Sequence, residues 1–318
     1  MHKISTILVT GGAGFIGSHV VAKLAEQGYS VRVLDNLSTG KLSNIDNLLQ
    51  DGSVDFIQGD IRDASDIKAA VGGVDAVFHL AAQISVPLSI LNPNLNHEVN
   101  VVGTSNLLEA SRRAGVGRFM FVSSCAVYGE PVYLPIDEAH PTNPISPYAE
   151  SKLTSEQECL RLSKEHEIEP VVVRFFNVYG PRQGLNDYSG VITKFIERIK
   201  QNLPLIIFGD GSQTRDFVFV QDVADALLLA SKNKDANGKI FNIGTGKATT
   251  IKSLAETLLQ LSDSTVDLQF APERSGDIKH SYANISKANK LLGYKPEFSL
   301  SKGLKALLVE NSLPNSKK

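Results

Sequence analysis

Tyr148 and Lys152 stand four residues apart in Tyr148-Ala149-Glu150-Ser151-Lys152. On a helix that spacing puts both side chains on one face, with Cβ atoms about 6 Å apart. The pair could move protons. A phenol has a reference pKa of about 10, so it acts as a base near neutral pH only beside positive charge. An ammonium one turn away supplies some of that charge. The pattern alone is common, and its weight comes from its company. Ser123-Ser124-Cys125-Ala126-Val127-Tyr128-Gly129, Ala81-Ala82 and Phe176-Asn177 each follow a short apolar run. If those runs are parallel strands, all three emerge at the carboxyl edge of the sheet, where open α/β sheets bind ligands.

A second chemical signal lies near the start. Thr10-Gly11-Gly12-Ala13-Gly14-Phe15-Ile16-Gly17 directly follows Ile7-Leu8-Val9. Gly12, Gly14 and Gly17 satisfy G-x-G-x-x-G, and Gly11, Gly14 and Gly17 the wider G-x-x-G-x-x-G. Such glycines permit a tight turn and let backbone N–H groups, among them those of Phe15 and Ile16, face a pyrophosphate at a helix N-terminus. Asp35 ends the next apolar run, 18 residues beyond Gly17, with Asn36 after it. The carboxylate that binds an adenosine ribose is expected at roughly 20. A carboxylate there repels a 2′-phosphate, so the expected cofactor is NAD rather than NADP.

These residues need elements to position them. Apolar runs at 7–9, 31–34, 54–58, 76–79, 119–122 and 171–175 alternate with helical patterns at 15–27, 95–114 and 147–166. The alternation predicts an α/β, Rossmann-like, doubly wound parallel sheet covered on both faces. After Tyr179 the pattern loosens, with one helix at 191–201, a further strand at 239–243, and mixed pieces over 250–308. We expect an NAD-binding domain over 1–180, with 213–245 returning to the sheet. A smaller C-terminal substrate-binding cap would comprise 181–212 and 246–318, with a frayed tail from Asn311.

Composition removes several classes of function. The 318 residues hold 32 Lys plus Arg against 34 Asp plus Glu, a net charge of −2. Neither a nucleic-acid nor an anionic-membrane surface follows from that balance. An anionic ligand must instead be held by a few placed arginines. The two cysteines, Cys125 and Cys159, form neither a disulfide framework nor a metal-ligand spacing, so no metal is expected. Without an 18-residue apolar run or a secretory signal pattern, the expected compartment is a reduced cytoplasm.

From about residue 4 to 308 the chain resembles the extended short-chain dehydrogenase/reductase superfamily, and within it the nucleotide-sugar 4-epimerases. The likeness rests on the glycine segment 10–17, Gly-Asp-Ile-Arg-Asp at 59–63, His-Leu-Ala-Ala at 79–82 and Tyr148/Lys152. It continues through Arg-Phe-Phe-Asn-Val-Tyr-Gly-Pro-Arg at 174–182, Arg-Asp-Phe-Val-Phe-Val at 215–220 and Arg-Ser-Gly-Asp at 274–277. The resemblance implies that Tyr148 is the base, Lys152 its electrostatic and ribose-binding partner, and Ser124 the hydroxyl sharing the substrate proton. Asp60 and Ile61 would flank adenine, while Ala81, Ala82 and Asn100 would line the cofactor channel. Asn177, Arg215 and Arg274 would hold a UDP-sugar's diphosphate and nucleotide, beside Asp277 on the ribose. Ser85 and Cys125 would also meet the substrate. A homodimer through the helices at 95–114 and 147–166 is implied too, although their apolar faces equally suit packing on the sheet.

The loop after Ser124 narrows the reaction. Similar dehydratases carry Asp-Glu where Cys125-Ala126 stand, and related decarboxylases keep a Glu at the second position. Ala126 cannot titrate, so dehydration and decarboxylation lack their extra acid or base. Families that epimerise C3 and C5 place a cysteine two residues before the tyrosine equivalent to Tyr128, whereas Cys125 is three before. Cys125 is therefore read as a pocket wall. Redox-neutral epimerisation at C4 is the expected activity. A net nucleotide-sugar dehydrogenase or reductase, and a catalytically dead NAD-binding sensor or scaffold, are the alternatives. In similar epimerases the position four after the Asp of Arg-x-Gly-Asp borders the sugar C2 substituent, and here it is Ser281. A small residue there admits an N-acetyl group that a tyrosine ring would exclude. The expected substrates are UDP-N-acetylglucosamine and UDP-N-acetylgalactosamine, with UDP-glucose and UDP-galactose as smaller alternatives.

Overall fold

A computed structural model of the chain describes residues 4–164, 168–184, 190–274 and 276–311. The end of the helix expected to 166, Ser275 of the Arg-Ser-Gly-Asp motif and the tail beyond Asn311 lie outside the described residues.

Six strands, β1 (Thr6–Thr10), β2 (Ser30–Asp35), β3 (Val54–Gln58), β4 (Ala76–His79), β5 (Arg118–Ser124) and β6 (Glu169–Phe175), are joined by β7 (Lys239–Ile243). All pair in parallel, in the order β3-β2-β1-β4-β5-β6-β7. The chain runs outward from β1 in one direction and then resumes at β4 on its other side. That reversal is the switch point at which doubly wound sheets bind dinucleotides. Both faces of the sheet carry buried apolar residues because helices cover both. Alternate residues divide accordingly. Leu8, Leu34, Val77, Phe119, Phe121 and Val172 pack toward the helices Ala64–Val71, Gly103–Arg113 and Pro147–Lys164. Val9, Val33, Phe78, Met120 and Val173 pack toward Phe15–Glu26, Val220–Lys232 and Ser286–Leu292.

A separate apolar cluster gathers Phe195, Ile199, Leu254, Leu258 and Leu304 from the helices Val191–Lys200, Ile251–Leu261 and Leu300–Glu310, with Leu205 from a short strand. It also holds Tyr179 and Phe219, from short strands beside the main sheet. The second cluster is thus seated against the carboxyl edge of the first.

The helix expected over 95–114 is not uniform. It begins at Pro93, widens into a π turn at Glu98–Val102 and resumes at Gly103. Such turns are rare and often sit at functional sites. Here the turn carries Asn100. At Gly103 the helix presses so close to Ile61 that a Cβ would lie 2.9 Å from its side chain.

Candidate active site

The glycine loop is shaped by contacts that forbid side chains. Gly11 has φ +69°, and a Cβ on it would stand 2.8 Å from the Ala81 nitrogen; one on Gly17 would stand 2.0 Å from the Gly11 carbonyl oxygen. The helix Phe15–Glu26 begins with no acidic residue and no side-chain cap in its first turn. Its first N–H groups have no i−4 carbonyl, which leaves a positive, donor-rich end facing the carboxyl edge. These residues fit a dinucleotide pyrophosphate.

Asp35 is buried, and its two oxygens accept from the backbone nitrogens of Ala13 at 3.0 Å and Leu37 at 2.8 Å. Burial pushes its pKa up, and those two bonds oppose the push. Each oxygen keeps a lone pair for ribose hydroxyls. Asn36 donates to Asp60 at 2.9 Å, and Arg62 grips both Asp60 oxygens. The Arg62 hydrogen bonds hold the Asp60 carboxyl well below the usual range. Ile61 turns its side chain into the core against Gly103, so it backs this wall more than it lines it.

Behind the loop, His79 ties three elements together. Its Nδ1 meets Thr10 Oγ1 at 2.7 Å and its Nε2 meets Thr104 Oγ1 at 2.9 Å. Burial lowers its pKa to about 3, so the ring is neutral. Ala81 donates to Thr10 Oγ1 at 3.2 Å, which brings the Ala81-Ala82 segment beside the glycine loop. Asn100 is 2% exposed, with its amide spent internally. It accepts from Gln83 N at 2.8 Å and donates to Gln83 O at 2.9 Å, Asn96 Oδ1 and Ser151 Oγ. Asn100 therefore acts on the channel through Gln83, holding the backbone after β4. Sequence reasoning missed Gln83 and His79, because neither residue type signals a brace.

The expected catalytic group is assembled. Ser124 ends β5 and caps the 3-10 turn Cys125–Tyr128 by accepting from Ala126 N at 3.2 Å. Its hydroxyl lies on the side of the Tyr148 phenol. Burial raises the Tyr148 pKa to about 12, a shift the neighbouring Ser124 hydroxyl opposes. Tyr148 is held from behind, its N–H donating to Ser89 Oγ at 3.1 Å. Lys152 is 4% exposed and donates to the Val122 carbonyl at 3.0 Å. Its ammonium lies 5.2 Å from the Phe121 ring centre. Burial lowers its pKa to about 8 against the pull of Glu156, so it remains mostly charged at neutral pH.

The substrate-side residues meet at the same edge. The Cys125 thiol lies near Ser281, Arg215 and Asp216, and burial pushes its pKa up to about 11. A thiol that stays protonated is a poor base, which agrees with a wall role. Ser281 is buried, its N–H on the Thr214 carbonyl at 3.1 Å. Nearby in the fold, a cleft of 460 Å³ is lined by Asn177, Lys194, Arg198, Phe208, Arg215, Arg274 and Asp277, among others. Arg215 reaches Asp277 at 3.4 Å, and the Arg274 guanidinium lies 3.6 Å from the Phe208 ring centre. Lys194 and Arg198, four apart on one helix, were not foreseen. Ser85 lies by the channel as an N-cap, accepting from Leu88 N at 3.1 Å. Among the described residues no His/Cys/Asp/Glu group could hold a metal ion, and no helix is long and apolar enough to cross a membrane.

A glycine loop at a helix N-terminus, a Ser-Tyr-Lys group and an arginine-lined cleft together suit a dinucleotide and a phosphorylated ligand. Residues 7–244 match the model of the NAD dependent epimerase/dehydratase family. Over 300 residues the chain is 38% identical to the UDP-glucose 4-epimerase of Mycolicibacterium smegmatis, covering 93% of this chain and 95% of that one. The structure of the Thermotoga maritima UDP-glucose 4-epimerase with UDP-glucose superposes with a TM-score of 0.91 at 39% identity, over 96% of this chain and 98% of that one. The UDP-N-acetylglucosamine 4-epimerase of Methanobrevibacter ruminantium M1, in complex with UDP-N-acetylmuramic acid, gives 0.91 at 36% identity, over 97% and 100%. The chain belongs to the NAD dependent epimerase/dehydratase family. It is an NAD-dependent isomerase, a UDP-sugar 4-epimerase of the extended short-chain dehydrogenase/reductase type.

Proposed function

We propose that the chain interconverts UDP-N-acetylglucosamine and UDP-N-acetylgalactosamine, and accepts UDP-glucose and UDP-galactose as smaller substrates. The observation that carries this is Ser281, a small buried side chain beside the Cys125 thiol, which directly follows Ser124 in the chain. Two small residues there leave the room that an acetamido group needs. The second reading, an epimerase of simple hexoses alone, is favoured by the names of relatives called UDP-glucose 4-epimerase.

In the proposed cycle Arg215, Arg274 and Asn177 hold the diphosphate and nucleotide, with Asp277 beside the ribose. A planar guanidinium matches phosphate oxygens in a way an ammonium does not. Tyr148 takes the proton of the C4 hydroxyl, Ser124 shares it, and the Lys152 ammonium steadies the phenolate. The bound NAD supplies the hydride acceptor and donor at C4. The small walls let the 4-keto sugar present its other face before Tyr148 returns the proton. The group formed by Gly11, Gly14, Gly17, Phe15, Ile16, Asp35, Asn36 and Asp60 would hold the dinucleotide.

Ser281→Tyr tests the substrate assignment. Overpacking a close-packed site costs about 1–3 kcal/mol, so kcat/KM for the acetylated pair should fall about 5- to 150-fold. The plain hexoses should change far less. Equal losses on both, or no wild-type turnover of acetylated sugars, would leave the simple-hexose reading. Cys125→Ala belongs in the same assay and should keep most activity. If it were the crippling change, a role in C3/C5 chemistry would replace the wall.

A second copy of the chain is proposed to cover the face beside the helices Gly103–Arg113 and Pro147–Lys164. Val102, Ile90 and Leu91 are exposed there, at 41%, 62% and 74%. Clustered exposed apolar residues mark contact surfaces. Sedimentation equilibrium should give twice the chain mass, and a monomer at micromolar concentration would remove the dimer. A reduced cytoplasmic setting fits the unpaired thiols of Cys125 and Cys159.

A further inference from the structure

Beneath the catalytic loop a row of polar side chains crosses three neighbouring strands. Ser123, Arg174 and Asn242 are register partners across β5, β6 and β7. Arg174 is buried, and its guanidinium is engaged on two sides. Nε and Nη2 donate to the two oxygens of Glu156 at 2.9 and 2.6 Å. Glu156 lies one turn beyond Lys152, on the helix that also carries Tyr148. On its other side the guanidinium carbon is 4.7 Å from the centre of the Tyr128 ring. Tyr128 closes the 3-10 turn that Ser124 caps. The far end of Tyr128 is pinned as well, its hydroxyl donating to Asn242 Oδ1 at 2.6 Å. One side chain thus touches both the turn that carries Ser124 and the helix that carries Tyr148.

We propose that Arg174, with Glu156, is a positioning residue for the proton relay. It holds the Ser124 turn and the Tyr148 helix at the separation and angle that the relay needs. Stability alone does not call for such a pair. Taking two charges out of water is costly, and apolar replacements of similar volume are often neutral or stabilising. What an apolar pair lacks is the fork geometry, two parallel bonds that fix direction as well as distance. A proton relay depends on that. A displacement of about 1 Å at a reacting group can cost about 100-fold in rate. Glu156 has a second effect through its charge, which supports the Lys152 ammonium against the lowering by burial.

The test uses the full chain with its cofactor. Glu156→Met combined with Arg174→Met replaces the buried pair by apolar side chains. kcat should fall about 10- to 100-fold, while KM, bound cofactor and melting temperature stay near wild type. Arg174→Lys, which keeps a charge but loses the fork, should show the same split. Tyr128→Leu leaves the ion pair whole, removes the ring on the other side of Arg174, and should lower kcat with KM unchanged. Wild-type kcat in the double variant, or losses that merely follow melting temperature, would overturn the positioning role. Should the double variant not fold, undiminished kcat in Tyr128→Leu would overturn it alone. The inference rests on the relay proposed for Ser124 and Tyr148, and the two fail separately. An active Tyr148→Phe sinks the relay, and with it this role. A dead Tyr148→Phe beside an unimpaired double variant sinks only the positioning role.

Discussion

Tyr148→Phe should fold, keep its bound NAD, and lose about 100- to 10,000-fold of kcat, the usual worth of a general acid–base group. The phenol oxygen is the only atom removed. Its loss removes the hydroxyl beside Ser124, while the ring still fills its place and the backbone N–H still reaches Ser89 Oγ. KM should therefore move little, since the groups proposed to hold the nucleotide stand elsewhere in the cleft. The free protein makes the point about charge. Burial raises this phenol to about 12, so at neutral pH it is protonated until positive charge beside it favours the phenolate. Lys152, buried and mostly charged, is one such source, and the oxidised cofactor is another. Turnover with purified UDP-sugars, followed by separation of the epimers, measures the effect. A variant that keeps more than a tenth of wild-type kcat, outside the expected 100-fold or greater loss, would mean another group moves the proton.

Gly17→Ala should purify without NAD, whereas the wild-type protein should release NAD on denaturation with none added. The added methyl would meet the Gly11 carbonyl oxygen at 2.0 Å. That atom is backbone in a turn with φ +69° at Gly11, itself wedged 2.8 Å from the Ala81 nitrogen when a Cβ is placed there. No flexible side chain can swing aside, so the turn must shift away from the helix end that faces the pyrophosphate. Overpacking of this kind costs about 1–3 kcal/mol, or about 5- to 150-fold in cofactor affinity. Absorbance of the denatured supernatant, with enzymatic identification of the dinucleotide, measures it. NAD retained by the variant at wild-type stoichiometry would show that the loop tolerates the methyl, and NADP released by wild type would overturn the reading of Asp35.

Several parts of this protein are written locally in its sequence. Glycine spacing, a carboxylate at a strand end, and Tyr148 and Lys152 one turn apart are short-range patterns. Their meaning follows from strand and helix periods alone. The seven strands of the sheet were legible for the same reason, because short runs rich in apolar, β-branched residues are what a sheet covered on both faces requires. The helix Val220–Lys232 was not. Val220, Val223, Ala224, Ala226, Leu227, Leu228 and Ala230 are all buried, and the exposed face carries Leu229, which blurs the polar side of the period. The helix Ala64–Val71 spans only 8 residues, too few to make a period stand out.

Other features exist only once distant segments meet. The π turn at Glu98–Val102 depends on Asn100 gripping Gln83 and on Ile61 pressing Gly103. The proposed sugar wall brings Cys125 beside Ser281, and the proposed nucleotide cleft depends on Arg215 reaching Asp277. Arg174 carries no sign in the sequence that it will touch Glu156 on one side and Tyr128 on the other. Residue types and local spacing determined which groups could do chemistry and what cofactor they suit. Only the tertiary structure decided which side chains fix their separations, because a hydrogen bond or ring contact between segments far apart in the chain has no local period to announce it.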